Sequence, residues 1–582
     1  MSRRSNYDKA PSIRVQGMQD CAWQGWRNIL SRIGKEISSG AQRVSVEVYP
    51  GVFEREVLDA FVEALKPAHV FCTKDCWKTP AEIDALVQGD LTDDPVFGRI
   101  SQLIVEDFAD PKRTSQLREE CQSAKGLVLI FGTGTMLLEP EPDLLILADM
   151  ARWEIQRRQR ANKIGNFPSS KTSDSPAAKY KRAFFIDWRV ADRIKKSLLS
   201  RIDYLLDTND SASPKMVIGD AFRAGLRCVL DRPFRVVPFF DPGPWGGQWM
   251  REVCDLPDGP PNYAWCFDCV PEENSLLLDI AGVTIEIPAM DLVLRHPREL
   301  LGDGVYARFG AEFPIRFDFL DTMQGGNLSL QVHPLNQYIV DNFGMAYTQD
   351  ESYYLLDASP DASVYLGLKT GIDRKAMIRD LTRAQEGDAP FETLKYVNQW
   401  PAKKHDHFLI PAGTIHCSGA DSMVLEISAT PYIFTFKLWD WGRPGLDKRP
   451  RPIHLEHGGA NIQWNRDTEW VRQNLLNRIE QIGEGKGWVE ERTGLHELEF
   501  IETRRHWFAS AVEHDSSSGV HVLNLVEGAE AIVESPTAAF EPFHVHYAET
   551  FIVPAHVGRY TVRPSIGTSR CATVRASVRA MP

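Results

Sequence analysis

Residues Leu328-Ser-Leu-Gln-Val-His-Pro334 form an apolar run in which Gln331 and His333 stand two positions apart. In an extended strand, positions i and i+2 project from the same face, so the amide and the imidazole share one side. Glu351 begins a second apolar run farther along the chain, and His416 follows a Pro-Ala-Gly turn. Two imidazoles, one carboxylate and one amide oxygen form a mixed set of ligands that suits a divalent ion such as zinc. The sequence therefore predicts a metal site built from these four residues.

Further motifs flank this set between Phe234 and Trp464. In chain order they are Gly243-Pro-Trp-Gly-Gly247, Phe309 to Asp321, Pro411-Ala-Gly-Thr-Ile-His416, Val424-Leu-Glu-Ile-Ser428 and Thr435 to Arg443. Together with the metal residues, they resemble a class I mannose-6-phosphate isomerase, a zinc-dependent enzyme of the cupin fold. The resemblance implies one zinc ion per chain and a sugar phosphate as the small-molecule substrate.

The resemblance also implies a reaction, the interconversion of mannose 6-phosphate and fructose 6-phosphate through an enediol(ate). Such a reaction needs a group that removes a carbon-bound proton and a group that stabilises the developing oxygen charge. Glu426 matches an active-site glutamate of the family and is the first candidate for proton transfer; pairing with a buried cation is its alternative role. Lys437 stands where the family usually has an arginine, so it either faces the substrate or is a solvated strand residue.

Two positions depart from the family pattern. Asp318 stands where the family usually has a lysine, and Arg316 lies two residues earlier on the same strand face, where it can supply the missing charge. Leu335-Asn-Gln337 replaces the charged residues that usually follow the metal motif. Two alternatives to the implied reaction therefore stay open. One is an isomerase of another sugar or sugar phosphate, and the other is a non-catalytic sugar-sensing or scaffold protein.

Length and charge limit the classes of function. The chain has 582 residues and a formal net charge of −13. The length predicts several domains rather than one core, and the acidic balance argues against nucleic acid or an anionic membrane as a partner. No apolar run is long enough for a transmembrane helix, and the basic N-terminus lacks the apolar segment of a signal peptide. The sequence therefore predicts a cytoplasmic protein.

Strand and helix patterns alternate in the N-terminal part, which predicts an α/β domain with a parallel sheet. Residues 1–40 are predicted to be a lead-in, residues 41–207 the α/β domain, and the turn-rich stretch Asp207 to Pro214 a linker. Within the domain, the apolar run Lys181 to Asp187 is predicted to be a further strand.

This domain weakly resembles P-loop nucleoside kinases. The resemblance rests on a strand–turn–helix start and on Asp143 to Asp149 followed by the basic run Arg157 to Arg160. The first turn contains Pro50-Gly51 and lacks the Walker A pattern, GxxxxGK[ST], so kinase activity is not expected. A bifunctional kinase–isomerase is the alternative, and it predicts nucleotide binding by residues 41–205.

Short strands and turns dominate beyond residue 215 and predict an all-β double cupin with inserted helices. Residues 215–480 are predicted to carry the metal site, and residues 481–582 to form a second cupin-like domain. The polar stretch Asp373 to Glu386 has helical spacing and is predicted to be an inserted helix. His544, His546 and Glu549 raise the hypothesis of a second metal, whose alternative is a packed or solvated histidine pair.

Overall fold

A computed structural model describes residues 5–168, 172–430, 433–444, 451, 453–494 and 496–579. The chain divides into two compact units. The α/β unit comprises residues 12–229 and 272–296, and the β unit comprises residues 1–11, 230–271 and 297–582. Within the described ranges, no helix has the length and apolar character needed to cross a membrane.

Strands and helices alternate in the chain up to residue 296. The strands are β1 (Ser12–Val15), β2 (Ala22–Gln24), β3 (Arg43–Val48), β4 (His69–Cys72), β5 (Val128–Gly132), β6 (Leu144–Asp149), β7 (Tyr204–Asp207), β8 (Lys215–Ile218), β9 (Phe239–Asp241), β10 (Trp265–Cys269), β11 (Ser275–Ile280) and β12 (Val283–Pro288). The helices are α1 (Trp26–Ser38), α2 (Glu54–Leu65), α3 (Pro80–Leu91), α4 (Val105–Phe108), α5 (Pro111–Ser123), α6 (Arg152–Arg160), α7 (Pro176–Arg182), α8 (Trp188–Leu198), α9 (Gly219–Leu230), α10 (Trp249–Val253) and α11 (Met290–Arg295).

The main sheet of the α/β unit has the strand order β2-β8-β7-β6-β3-β5-β4. The strands from β7 to β4 are parallel, and β8 and β2 extend one edge in antiparallel pairing. Numbered along the chain, the parallel strands have the order 2-3-1-4-5, which differs from both the Rossmann and the flavodoxin-like orders. The predicted parallel sheet is confirmed, whereas the likeness to P-loop kinases stays a prediction.

Three details of this unit differ from expectation. The predicted strand at Lys181 to Asp187 is wrong, because Ala183–Asp187 is a buried π-helical turn between α7 and α8; a short apolar run does not distinguish a buried strand from a buried helix. The turn-rich stretch Asp207 to Pro214 joins β7 and β8, which are antiparallel neighbours in one sheet. Residues 272–296 lie in the α/β unit, where β11 pairs with β1 and β12, although the predicted boundaries place them in the first cupin domain.

Strands dominate from residue 297 onward. The helices are α12 (Pro297–Leu301), α13 (Asp303–Phe309), α14 (Asn336–Phe343), α15 (Arg374–Glu386), α16 (Thr393–Tyr396), α17 (Leu455–Asn461) and α18 (Thr468–Asn474). The strands are β13 (Ile315–Asp321), β14 (Leu330–Val332), β15 (Glu351–Ala358), β16 (Ser363–Leu368), β17 (Val397–Pro401), β18 (His407–Ile410), β19 (His416–Ser418), β20 (Ser422–Ala429), β21 (Phe436–Trp439), β22 (Glu480–Gly485), β23 (Trp488–Gly494), β24 (Ile501–Phe508), β25 (Val512–Asp515), β26 (His521–Glu527), β27 (Glu530–Glu534), β28 (Phe543–His546), β29 (Thr550–Val553), β30 (Arg559–Pro564) and β31 (Cys571–Val578).

The β unit contains two antiparallel sandwiches. The first consists of the sheet β18-β15-β20-β13-β10-β9 and the sheet β17-β16-β19-β14-β21. The second consists of the sheet β22-β23-β24-β31-β26-β29 and the sheet β25-β30-β27-β28. The predicted all-β region is therefore confirmed. The predicted inserted helix is α15, which begins after Asp373, whose carboxylate accepts hydrogen bonds from the next turn as an N-cap.

Candidate metal centre

His333, Glu351 and His416 bring one ligand atom each within 4.8 Å of one another. Among the described residues this is the only such group of three or more histidine, cysteine, aspartate or glutamate side chains. His333 follows β14, Glu351 begins β15 and His416 begins β19, so the site lies between the two sheets of the first sandwich. All three side chains are buried, with at most 2% of each residue exposed.

Backbone carbonyl groups orient both imidazoles. His333 Nδ1 lies 3.0 Å from the carbonyl oxygen of Phe434, and His416 Nδ1 lies 2.9 Å from that of Thr414. Because a carbonyl only accepts, each Nδ1 carries the hydrogen and each Nε2 presents a lone pair. This second contact is the usual way in which a metal-binding histidine is held in one tautomer.

The lone pairs converge on one point. His333 Nε2 lies 3.0 Å from Glu351 Oε2, and His416 Nε2 lies 2.7 Å from Glu351 Oε1. Nevertheless, within the described part of the chain, His333 Nε2 and Glu351 Oε1 have no hydrogen-bond partner, which is rare for buried polar atoms. Two donor atoms bound at about 2.1 Å to one tetrahedral ion are separated by roughly 3.4 Å. The spacing and the unpartnered lone pairs therefore fit a divalent cation.

The carboxylate of this group stays ionised, as ligation requires. Burial raises the pKa of Glu351, but hydrogen bonds and positive charge from His333 and His416, when their Nε2 atoms carry protons in place of a metal ion, outweigh that effect and hold the pKa well below its usual range.

Gln331 lies beside the group. On β14 it pairs with His416 on β19 and, on the other side, with Lys437 on β21. Its Nε2 lies 3.2 Å from His416 Nε2. Rotation of the amide by 180° places the oxygen at this point instead, where it can act as a ligand. Gln331 as a fourth ligand therefore stays a prediction that the geometry allows.

A buried charge cluster lies on the six-stranded sheet. Arg316 and Asp318 share one face of β13, and Asp318 pairs across the sheet with Glu426 on β20. Arg316 Nε lies 3.1 Å from Asp318 Oδ1, and Arg316 Nη2 contacts Glu426 Oε1. Burial raises the pKa of Asp318 to about 7, although Arg316 lowers it; the charge of Glu351 raises it further. Glu426 thus contacts a buried cation, as its alternative role requires, and Arg316 lies beside Asp318.

Lys437 belongs to a second, cationic cluster with Arg443 and Arg451. Burial lowers the pKa of Lys437 to about 7; Arg451 and Arg443 lower it as well, whereas Asp440 raises it. Arg443 Nη2 lies 2.9 Å and Arg451 Nη1 lies 3.1 Å from Asp440 Oδ1. Two arginine side chains thus contact the carboxylate of Asp440, whose charge also acts on Lys437. Neither arginine was a sequence candidate, because an isolated arginine beside a strand has no distinguishing pattern.

Tyr353 was also missed. It lies on the same face of β15 as Glu351, and its ring centroid is 5.8 Å from that of His416. Its hydroxyl group is buried and has no hydrogen-bond partner among the described residues. Burial, with the charge of Glu351, raises the pKa of Tyr353 well above the usual range. The only sequence signal was its spacing from Glu351, since a tyrosine in an apolar strand otherwise looks like a core residue.

The second metal hypothesis has less support. His546 Nδ1 lies 3.2 Å from Glu549, and His544 Nδ1 lies 2.8 Å from Glu530. The side chain of His544 is 54% exposed, and these residues form no three-ligand group within the described chain. The contacts agree with the alternative of a packed and partly solvated histidine pair.

Comparison with known proteins gives relatives for the chain. A family model described as a domain of unknown function (DUF8485) matches residues 25–231. A mannose-6-phosphate isomerase of Streptococcus mutans is 28% identical over 214 residues, which are 36% of this chain and 62% of that enzyme. The probable mannose-6-phosphate isomerase GmuF of Bacillus subtilis is 24% identical over 338 residues, which are 57% of this chain and 96% of that protein. These relatives confirm the resemblance found in the motifs, although the chain spans about three-fifths of the S. mutans enzyme.

Solved structures give similar matches. The mannose 6-phosphate isomerase of Bacillus subtilis aligns with a TM-score of 0.48 and 17% identity, over 60% of this chain and 99% of that one. A putative mannosephosphate isomerase of Archaeoglobus fulgidus aligns with a TM-score of 0.43 and 16% identity, over 60% of this chain and 99% of that one.

Proposed function

We propose that the β unit is a metal-dependent aldose–ketose isomerase that interconverts mannose 6-phosphate and fructose 6-phosphate. The observation that carries the proposal is the convergence of three lone pairs, from His333, Glu351 and His416, on one buried point. Zinc is the proposed ion, one per chain, because two imidazoles and a carboxylate suit it. Gln331 is the proposed fourth ligand. The similarity to mannose-6-phosphate isomerases supports the choice of substrate.

The reaction moves a proton between adjacent carbons of the sugar. A bound divalent ion would polarise the sugar oxygens as a Lewis acid. Glu426 is the proposed proton-transfer group, and its contact with Arg316 would position it. Asp318 contacts the same guanidinium group.

The cationic cluster is the proposed site for the phosphate group. Lys437, Arg443 and Arg451 carry three potential positive charges against the single carboxylate of Asp440. An excess of positive charge at a partly buried place attracts a phosphate dianion, and the planar arginine groups can bind it with two hydrogen bonds each.

The proposal is tested with a coupled assay for fructose 6-phosphate on protein of known zinc content. Turnover should require about one zinc per chain, cease after chelation and return when zinc is added. The variant Glu426→Gln should keep its zinc and lose about 10²- to 10⁴-fold in kcat. Bound zinc with turnover of a different sugar phosphate would shift the proposal to another isomerase. Bound zinc without turnover of any tested sugar would leave a non-catalytic protein.

A further inference from the structure

The interior of the second sandwich is apolar in one part and polar in another. The apolar part is a cluster of buried side chains from both sheets: Phe508, Val512, Leu523, Leu525, Ala531, Val533, Val545, Phe551, Val553, Tyr560, Val562 and Cys571. Because side chains alternate along a strand, the residues two positions from these also face inward. On β24, β25 and β31 those positions hold His506, His514 and Thr573, followed on the same face of β31 by Arg575.

These residues form a polar chamber, defined here by His506, His514, His521, Thr573 and Arg575. The three histidines are 3–6% exposed and Thr573 is fully buried. The rings of His506 and His514 are edge to face with centroids 4.7 Å apart. His521 Nδ1 lies 2.9 Å from the hydroxyl oxygen of Tyr560, and Thr573 pairs with His506 across β24 and β31.

Four buried polar atoms of the chamber have no hydrogen-bond partner among the residues that the structure describes. They are His506 Nδ1, His514 Nε2, Thr573 Oγ1 and Arg575 Nε. Native interiors leave few such atoms, because a buried donor or acceptor that stays unpaired loses its hydrogen bonds to water without replacement. Four in one chamber indicate that something outside the chain satisfies them.

The contacts of the histidines determine what each free atom requires. His514 Nδ1 lies 3.3 Å from Arg575 Nη1; because arginine only donates, Nδ1 accepts and His514 Nε2 carries the hydrogen. His506 Nε2 lies 3.3 Å from the carboxylate of Glu490, so Nε2 carries the hydrogen and His506 Nδ1 is an acceptor. A ligand must therefore accept hydrogen bonds from His514 and Arg575 and donate a hydrogen bond to His506.

The local charge favours an anion over a cation. Burial lowers the pKa of all three histidines, and the positive charge of Arg575 lowers each of them further. Arg504 lies on the same sheet opposite Arg575, and Glu490 contacts both at 3.1 Å and 3.8 Å. Arg504 also pairs with Glu502, whose carboxylate lies 2.5 Å from Arg504 Nε. The side chains of Glu490 and Arg504 are 18% and 31% exposed, so the charged end of the chamber reaches the surface.

We propose that this chamber binds a small, singly protonated phosphate, either hydrogen phosphate or the monoanionic phosphate group of a small phosphomonoester. Its charged oxygens would accept hydrogen bonds from Arg575 Nε and His514 Nε2, and its P–OH group would donate a hydrogen bond to His506 Nδ1. The Thr573 hydroxyl can donate or accept. The chamber is separate from the metal centre, so the proposal does not depend on the isomerase activity.

The test measures ligand binding by the full chain with its metal, using calorimetry and thermal unfolding at constant ionic strength. Inorganic phosphate, glycerol phosphate and sulfate are compared. We expect phosphate or glycerol phosphate to bind and raise the unfolding midpoint, and the more effective one identifies the source. The measurements are made near pH 6, where a large share of each phosphate carries a proton and sulfate carries none. Sulfate should therefore bind at least about fivefold more weakly, because it lacks the donor for His506. Equal effects of sulfate, or no binding at all, would overturn the proposal.

Two variants assign the binding to this chamber. Thr573→Val keeps the shape and removes an unpartnered hydroxyl, so it should leave the ligand-free midpoint unchanged or higher while weakening phosphate binding about fivefold. Arg575→Gln should weaken binding by about tenfold or more. Thr561→Val is the control, because Thr561 faces outward on β30 next to the inward Tyr560. Phosphate binding that is the same in all three variants would show that the anion binds elsewhere and that the chamber is not its site.

Discussion

Arg316 and Asp318 lie two residues apart on β13, with Arg316 Nε 3.1 Å from Asp318 Oδ1, and both side chains are at most 5% exposed. The same guanidinium group contacts Glu426 on the neighbouring strand. One buried cation is therefore shared by two carboxylates. Removing one member of such a buried set leaves uncompensated charge, which costs far more than the loss of an exposed ion pair.

Arg316→Met is accordingly expected to destabilise the β unit by about 3–5 kcal/mol. Asp318→Asn should cost less, since burial raises the pKa of Asp318 to about 7 and a neutral side chain is therefore less disfavoured there. Urea unfolding measures both. Arg298→Met is the matched control, because the ion pair of Arg298 with Asp303 is largely exposed and its loss should have little effect. Similar unfolding midpoints for Arg316→Met and Arg298→Met would contradict the role given to the buried guanidinium group.

The charge of Lys437 predicts a pH dependence of substrate binding. Burial lowers the pKa of Lys437 to about 7, so the ammonium group is lost as the pH rises through neutrality. If this charge holds the phosphate, the KM for mannose 6-phosphate should increase from about pH 6 to about pH 8 more than kcat changes. Lys437→Arg stays charged over this range and should flatten the rise.

The comparison with Lys437→Arg also controls for ionisation of the substrate. The substrate phosphate has a pKa near 6, and its ionisation affects the KM of both proteins equally. Identical KM profiles for the parent and Lys437→Arg would argue against Lys437 as the charged phosphate contact. A loss of activity toward lower pH in the parent alone would instead assign neutral Lys437 to proton transfer.

The candidate metal residues could be selected from sequence because histidine, glutamine and glutamate are unusual in apolar strands. The two-residue spacing of Gln331 and His333 places both on one face, and the family resemblance adds Glu351 and His416. The contacts among the surrounding charged residues could not be predicted. Arg316 and Glu426 meet only through the antiparallel register of β13 and β20, and Arg451 approaches Asp440 from outside any strand. The prediction of a strand at residues 181–187 was wrong for a related reason. A short apolar run indicates burial, and a buried helix contains such a run as readily as a buried strand does.

The backbone geometry at Gly413 predicts that the turn at this residue positions His416 of the candidate metal centre. Its φ is 86°, and a Cβ atom there would lie 2.7 Å from Gln463 Cγ and 2.9 Å from the carbonyl oxygen of Asn461. Thr414, the next residue, supplies the carbonyl group that orients His416. Gly413→Ala should therefore move the turn and lower the affinity for zinc, by about tenfold when the carbonyl contact is lost.

Gly371→Ala provides the control for backbone strain. Gly371 has a φ of 78° with no atom within 4 Å of its Cβ position, so alanine there meets about the same left-handed strain, roughly 1 kcal/mol, without a clash. Chelator competition measures the zinc affinity of both variants. Equal zinc affinities would mean that the turn does not position His416.

The α/β unit is expected not to bind nucleotide. Glu47, at the end of β3, accepts hydrogen bonds from the backbone N–H groups of Gly134 and Thr135 at 2.6 Å and 2.8 Å, and from the Thr135 hydroxyl at 2.7 Å. Amides in such a turn are the donors that phosphates use in other proteins, but here a carboxylate of the chain occupies them. Mg-ATP should leave the unfolding midpoint unchanged. Saturable ATP binding that is lost on mutation within residues 41–205 would restore the bifunctional kinase–isomerase alternative.

Glu47 also predicts how the α/β unit responds to pH. Burial raises the pKa of Glu47 to about 7, although its three hydrogen bonds lower it. Between the ordinary glutamate pKa of about 4.5 and about 7, the folded state therefore holds a proton that the unfolded chain has released, so this group's contribution to stability falls as the pH rises. The effect is at most about 3 kcal/mol. Glu47→Gln should reduce the fall, as measured by urea unfolding across this range, whereas Glu63→Gln on the exposed face of α2 should retain it. An unchanged slope in Glu47→Gln would show that the buried carboxyl group does not take up the proton.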